Sequence, residues 1–156
     1  MDHTNVDKPN RYHWPPIIYA VALALAFGLD WLFPLNALMF DGWRTPGWLL
    51  AGVGVGIAVA GLAQFKRTGT PFDPTASATA LATSGIYRWT RNPMYLGALI
   101  LFIGMGLAMR SGWLLAGIPL IAFALQKLAI EREEAYLTRR FGNTYTAYRA
   151  KVRRWL

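Results

Sequence analysis

Four apolar runs, 17–33, 46–65, 93–109 and 112–130, set the limits on what this chain can fold into. Each is 17 to 20 residues long, and about 20 apolar residues cross a bilayer core. Lipid offers no partner for backbone N–H and C=O groups, so a spanning segment must satisfy its own, as a helix does. The composition agrees. Charged residues are 15% and hydrophobic residues 54%, whereas a soluble domain carries about 25% charged residues. A soluble domain of 156 residues buries too small a share of its surface to hide that much apolar sequence. The expectation is an all-α integral membrane protein, one domain over 1–156. It has about four transmembrane helices plus a C-terminal amphipathic cytoplasmic helical segment.

Each run has its own punctuation. Asp30 lies near the end of the first, at the expected interface, and Pro34 stops it. The second opens on Pro46, a favoured first-turn residue, and has Gln64 as its one strongly polar member. Gly52-Val-Gly-Val-Gly56 has the look of a dinucleotide loop, but it sits inside an apolar twenty-mer with no strand before it. Gly52, Gly56 and Ala60 are instead expected to form a small-residue face for close helix packing. Only Arg110 and Ser111 separate the third and fourth runs, which predicts a tight antiparallel hairpin. Pro119 lies inside the fourth, where a membrane helix tolerates it. The N-terminus, Met1 to Asn10, is polar with no apolar core and is not read as a cleavable signal. Tyr12 and Trp14 suit the headgroup level. His3 and His13, ten apart, are not read as a metal site, and with no cysteine there is no thiol chemistry.

The net charge of +8 invites a nucleic-acid reading. The basic residues flank apolar spans, however, so membrane lipids with anionic headgroups are the simpler partner. Four spans place both termini and the 66–92 connection on one side. That side then holds 14 of the 16 basic residues, leaving only Arg44 and Arg110 opposite. Basic loops stay cytoplasmic, which predicts an inner or plasma membrane protein with both termini inside.

This topology brings two polar clusters together at the cytoplasmic ends of the third and fourth spans. One is the segment 84–97; the other is Glu131-Arg-Glu-Glu134, which opens the charged stretch 131–152. Arg88 and Arg91 offer planar forks for carboxylate or phosphate. Tyr87 and Tyr95 offer ring faces and hydroxyls, and Asn92 a donor and an acceptor. Glu131 and Glu134 are three apart, on one helical face, and with Glu133 they can accept from ribose hydroxyls or an ammonium. Such a set suits a zwitterionic, ribose-bearing cofactor. It equally suits Arg–Glu pairs that merely close a helical hairpin.

The residues Gly85-Ile-Tyr87, Arg91-Asn-Pro-Met-Tyr-Leu-Gly97, Glu133-Glu-Ala-Tyr-Leu137 and Phe141-Gly-Asn-Thr-Tyr-Thr-Ala-Tyr148 keep the order and spacing of a known pattern. Over nearly half its length the chain resembles the membrane S-adenosylmethionine-dependent methyltransferases of the isoprenylcysteine carboxyl methyltransferase and phospholipid methyltransferase type. The resemblance implies a pocket for S-adenosylmethionine, with S-adenosylhomocysteine as product. Tyr87, Arg91, Asn92, Pro93, Tyr95 and Leu96 would line one side, and Glu133 and Glu134 would close the other. Arg91 and Glu134 would carry the catalytic roles. Asn92 departs from the family, which often has His there; only His titrates near neutral pH.

The same resemblance implies methyl transfer to a lipophilic or membrane-associated acceptor. A prenylcysteine-like carboxylate, a phospholipid amine and a small thiol all fit. No metal and no nucleic acid is implied, and oligomeric state is left open. Two alternatives stand beside it: a non-catalytic membrane scaffold or subunit, and an NADPH-dependent enzyme like the sterol reductases.

Overall fold

The structure is a computed structural model that describes residues 14–35, 40–69 and 80–156. Expectations for 1–13 and 70–79, Tyr12 and both histidines among them, lie outside the described residues. Among those described, all regular structure is helical. Helix α1 is Trp14–Leu32 and α2 is Arg44–Arg67, entered through a 3₁₀ turn at Asp41–Trp43. A second 3₁₀ turn, Gly85–Arg88, precedes α3, Pro93–Met109. Helix α4, Gly112–Leu125, runs through one π turn, Gln126–Ile130, into α5, Glu131–Phe141; α6 is Asn143–Lys151.

The protein is built for a membrane. Trp14–Leu32, Asp41–Arg67 and Gly112–Phe141 are long and apolar enough to cross one. Helix α3 is equally apolar but has 17 residues, about 25 Å of rise. It lies between α2 and α4, and α4 in turn packs on α1. Large apolar side chains point outward from the outer helices: Val21, Leu25 and Trp31 on α1, Trp48, Leu49 and Val53 on α2, Leu120 and Phe123 on α4. In water that surface would be unfavourable; against acyl chains it is not.

Small residues weld α2 to α3, though not the ones expected. A Cβ on Gly54 would stand 2.4 Å from Leu101 N, and one on Gly104 2.3 Å from Ala51 N. A Cβ on Gly97 would stand 2.6 Å from Ala58 N. The backbones therefore touch along Gly47, Ala51, Gly54 and Ala58. Gly52 and Gly56 point away, with nothing described within 4 Å of a Cβ there. Close packing through small residues holds for this helix, but the row that packs within the chain is a different one from Gly52, Gly56 and Ala60.

On the other side of α3, Leu99 and Phe102 pack with Leu114, Ile121 and Leu125 of α4 and Ala26 of α1. Tyr19 meets Phe102 edge to face, ring centroids 5.4 Å apart. The α3–α4 turn is as short as its two residues predict. Arg110 takes the left-handed conformation, φ 61°. Ser111 N–H donates to Gly106 O at 2.9 Å and Arg110 N–H to Leu107 O at 3.3 Å, the paired bonds of a Schellman ending. Ser111 Oγ caps α4 by accepting from Leu114 N–H and donates to Asp30. Asp30 thus ties the end of α1 to the hairpin.

The π turn re-aims everything after it. Glu134 lies nine residues past Leu125. In an unbroken α-helix it would sit about 180° around the axis; one extra residue in the wide turn brings it back to about 80°. Leu125, Ala129, Ile130 and Glu134 are consequently all buried.

Candidate functional site

The segment before α3 is held from three directions. Gly85 has φ +60°, open to glycine without strain, and a Cβ there would press on the Gln64 side chain at 3.0 Å. Gln64, the lone polar residue of the second run, donates to Ser84 Oγ at 2.6 Å. It pins the 3₁₀ turn to the end of α2. Pro93 opens α3 at its first turn and packs on Gly61. The third support is the C-terminal segment. Arg91 N–H donates to Arg153 O at 3.1 Å. Thr90 Oγ1 and Asn92 Nδ2 both donate to Arg154 O, at 3.1 and 3.0 Å.

Gly142, φ +51°, ends α5 and turns α6 back over this segment. Tyr148 donates its hydroxyl to Tyr87 O at 2.7 Å. Tyr145 is buried, and Trp155 packs against the α1–α3–α4 core. An amphipathic tail lying on headgroups would dip these aromatics into lipid. They are instead spent on the protein, because the break at Gly142 folds α6 inward.

At the centre is Glu134, 6% exposed. Arg154 forks onto it, Nε to Oε1 at 3.1 Å and Nη2 to Oε2 at 2.7 Å. From the other side Arg91 Nη1 stands 3.1 Å from Oε1 as an ion pair. Arg91 is itself almost fully buried: Nη1 faces Glu134 as that ion pair, the side chain also bonds the Tyr145 hydroxyl, and Nε has no hydrogen-bond acceptor among the described residues. An unmatched buried donor is costly, and on a guanidinium it leaves room for a further acceptor.

Glu133, half-buried, accepts from Tyr95 Oη at 3.3 Å. Burial holds its carboxyl above the ordinary value of 4.5, the Tyr95 hydroxyl opposes this, and the neighbouring Glu134 charge adds to it. Burial likewise raises the Tyr87 hydroxyl, with Glu133 and Tyr148 adding to the effect. Burial raises Tyr145 and Glu134 reinforces it, while the Arg91 guanidinium pulls the other way.

The structure brings Tyr87, Arg91, Tyr95, Glu133 and Glu134 together as expected. Three others also make structural contacts. Pro93 is buried in the α2–α3 contact, and Leu96 continues α3 by donating its N–H to Asn92 O. Asn92 holds the C-terminal segment with its side chain. Glu131 and Glu134 do not act together. Glu131 faces outward, where Lys127 Nζ donates to both its oxygens at 3.0 and 3.1 Å, and Arg132 lies over the Trp14 ring. Arg88 is exposed. Sequence reasoning missed Thr90, Tyr145 and Arg154. The only signal for Arg154 was its place in a basic tail, which reads as headgroup contact.

Residues 43–144 match the phospholipid methyltransferase family. An uncharacterized protein of Haemophilus influenzae is 35% identical over 63 residues, 40% of this chain and all of that protein. Protein-S-isoprenylcysteine O-methyltransferase of Xenopus laevis is 36% identical over 72 residues, 46% of this chain. The Schizosaccharomyces pombe protein of that name is 39% identical over 74 residues, again 46% of this chain. The matches cover only 25% and 30% of those two longer relatives. With a match over most of its length, the chain belongs to the phospholipid methyltransferase family of membrane methyltransferases.

Proposed function

We propose that the protein transfers a methyl group from S-adenosylmethionine to a lipophilic or membrane-associated acceptor. The carrying observation is Arg91: a buried guanidinium whose Nε has no acceptor among the described residues, paired with Glu134 of α5, beside Glu133, which accepts from the Tyr95 hydroxyl of α3. That donor set fits S-adenosylmethionine. Arg91 would take the methionine carboxylate, Glu133 a ribose hydroxyl or the ammonium, and Tyr87 and Tyr95 would wall the pocket. Glu134 would hold Arg91 in place. When bound, the cofactor supplies a methyl carbon already activated by its positive sulfur. The protein's part is then alignment, which supplies a large share of rate in reactions of this kind.

The acceptor enters from the lipid between helices, and the donor site faces the cytoplasm with both termini. Fourteen of sixteen basic residues on that side support this orientation, with α3 as the fourth crossing. A carboxylate acceptor requires no base. An amine or thiol acceptor requires one, and Glu133, with its raised affinity for a proton, is placed to serve. Membrane lipids are the surrounding partner. Methyl-labelled S-adenosylmethionine, incubated with the purified protein and a lipid extract, tests the activity. Label is expected in the lipid fraction: alkali-labile for a carboxylate acceptor, alkali-stable for an amine or thiol. Hydride transfer from NADPH with no label transferred would contradict the proposal in favour of a reductase. Absence of both would favour a scaffold.

A further inference from the structure

We propose that the C-terminal strap, 152–156, is a working part of the donor site and that Arg154 is its positioning residue. The inference rests on the donor reading above and adds a residue to it. Arg154 touches both halves of the site at once. Its side chain forks both oxygens of Glu134 on α5. Its carbonyl takes donors from Thr90 and Asn92, and the preceding carbonyl takes the Arg91 N–H. The strap is anchored on either side by Val152 N–H to Tyr148 O and by Trp155 in the core.

The chemistry of the fork explains what this does. A guanidinium that bonds a carboxylate through two nitrogens fixes the carboxylate plane as well as its position. With Arg154 holding both oxygens, Arg91 reaches Glu134 through Nη1 alone. Its Nε, without an acceptor among the described residues, stays free for an incoming anion. Without Arg154, Arg91 is free to close onto Glu134 with its own fork and consume that donor. Arg154 thus reserves Arg91 for the ligand. Because Arg154 is half-exposed, replacing it leaves no buried charge unpaired beyond the Arg91–Glu134 couple.

Binding of S-adenosylhomocysteine to the full chain in detergent, by calorimetry, tests the proposal alongside ligand-free melting. Arg154→Ala should weaken binding by at least about tenfold, and Arg154→Lys, which keeps charge but not the fork, by an intermediate amount. In turnover the loss should fall on KM for the donor more than on kcat. Guanidinium added to Arg154→Ala should restore part of the affinity, which a general loss of packing would not allow. Affinity within about twofold of wild type in Arg154→Ala would overturn the proposal. If Arg154→Ala melts too early to measure, Arg154→Lys decides: unchanged affinity there overturns it equally. Failure of the wild-type chain to bind would sink the donor reading, and the site role with it. The strap is scored separately. In this cysteine-free chain, Thr90→Cys under the strap should react with maleimide faster once Arg154→Ala is added, and an unchanged rate would refute the strap's hold on the segment.

Discussion

Two adjacent glutamates divide the work at the residue scale, and the difference is burial with or without counter-charge. Glu134 is buried between two guanidinium groups, so its charge is matched. Removing one partner of a buried pair costs about 3–5 kcal/mol, and for that reason Glu134→Ala is expected to destabilise the fold as well as the site. Glu134→Gln, which keeps the shape, should lower stability by about 1–3 kcal/mol and abolish donor binding; a variant that melts and binds like wild type would remove Glu134 from the site. Glu133 behaves in the opposite sense. Its proton affinity is raised in the folded state, so it contributes stability below its ordinary value of 4.5 that is lost as pH rises through the folded value. Glu133→Gln should therefore melt above wild type at pH 7, with the gap closing as pH falls toward 4.5, while donor affinity drops. A lower midpoint at pH 7 would contradict this. The pairing of Arg91 with Glu134 was legible from the hairpin, which puts both clusters at one end. Arg154 was not, because nothing periodic links a residue in a basic tail to a carboxylate twenty positions earlier.

At the scale of elements, the decisive contact is backbone to backbone between α2 and α3. It holds Gln64, and with it the Ser84–Gly85 turn, against the start of α3. A methyl at Gly104 would meet Ala51 N at 2.3 Å, and backbone does not yield as a side chain does. Gly104→Ala is expected to cost about 3 kcal/mol, the upper end for overpacking, whereas Gly52→Ala, which meets nothing within 4 Å, should melt like wild type. Equal midpoints for the two variants would refute the α2–α3 register. The helices themselves were legible from apolar length, and the α3–α4 turn from its two residues. The choice between glycine rows was not, since both lie in uniformly apolar sequence with no polar face to set the phase. The π turn was hidden for the same reason: Gln126–Ile130 reads as ordinary helix, and its extra residue is settled by where Glu134 finds its partners.

On the scale of the whole molecule, the charge asymmetry and the donor site are one statement about orientation. The tail that packs on the segment before α3 belongs to the basic side, so under the proposed function a donor from the cytoplasm and an acceptor from the lipid would meet at the same end of the α3–α4 hairpin. A chain without cysteine allows this to be read directly. In inside-out vesicles Thr144→Cys should react with an impermeant maleimide while Phe40→Cys stays protected; the reverse pattern would invert the topology. The role of the site rests on donor binding. Titration of S-adenosylhomocysteine into the detergent-solubilised protein, with NADPH titrated in parallel, measures it most directly. Saturable heat with the sulfur compound, none with NADPH, and loss of that heat in Glu134→Gln is the predicted result; no heat with S-adenosylhomocysteine at high protein concentration would contradict it.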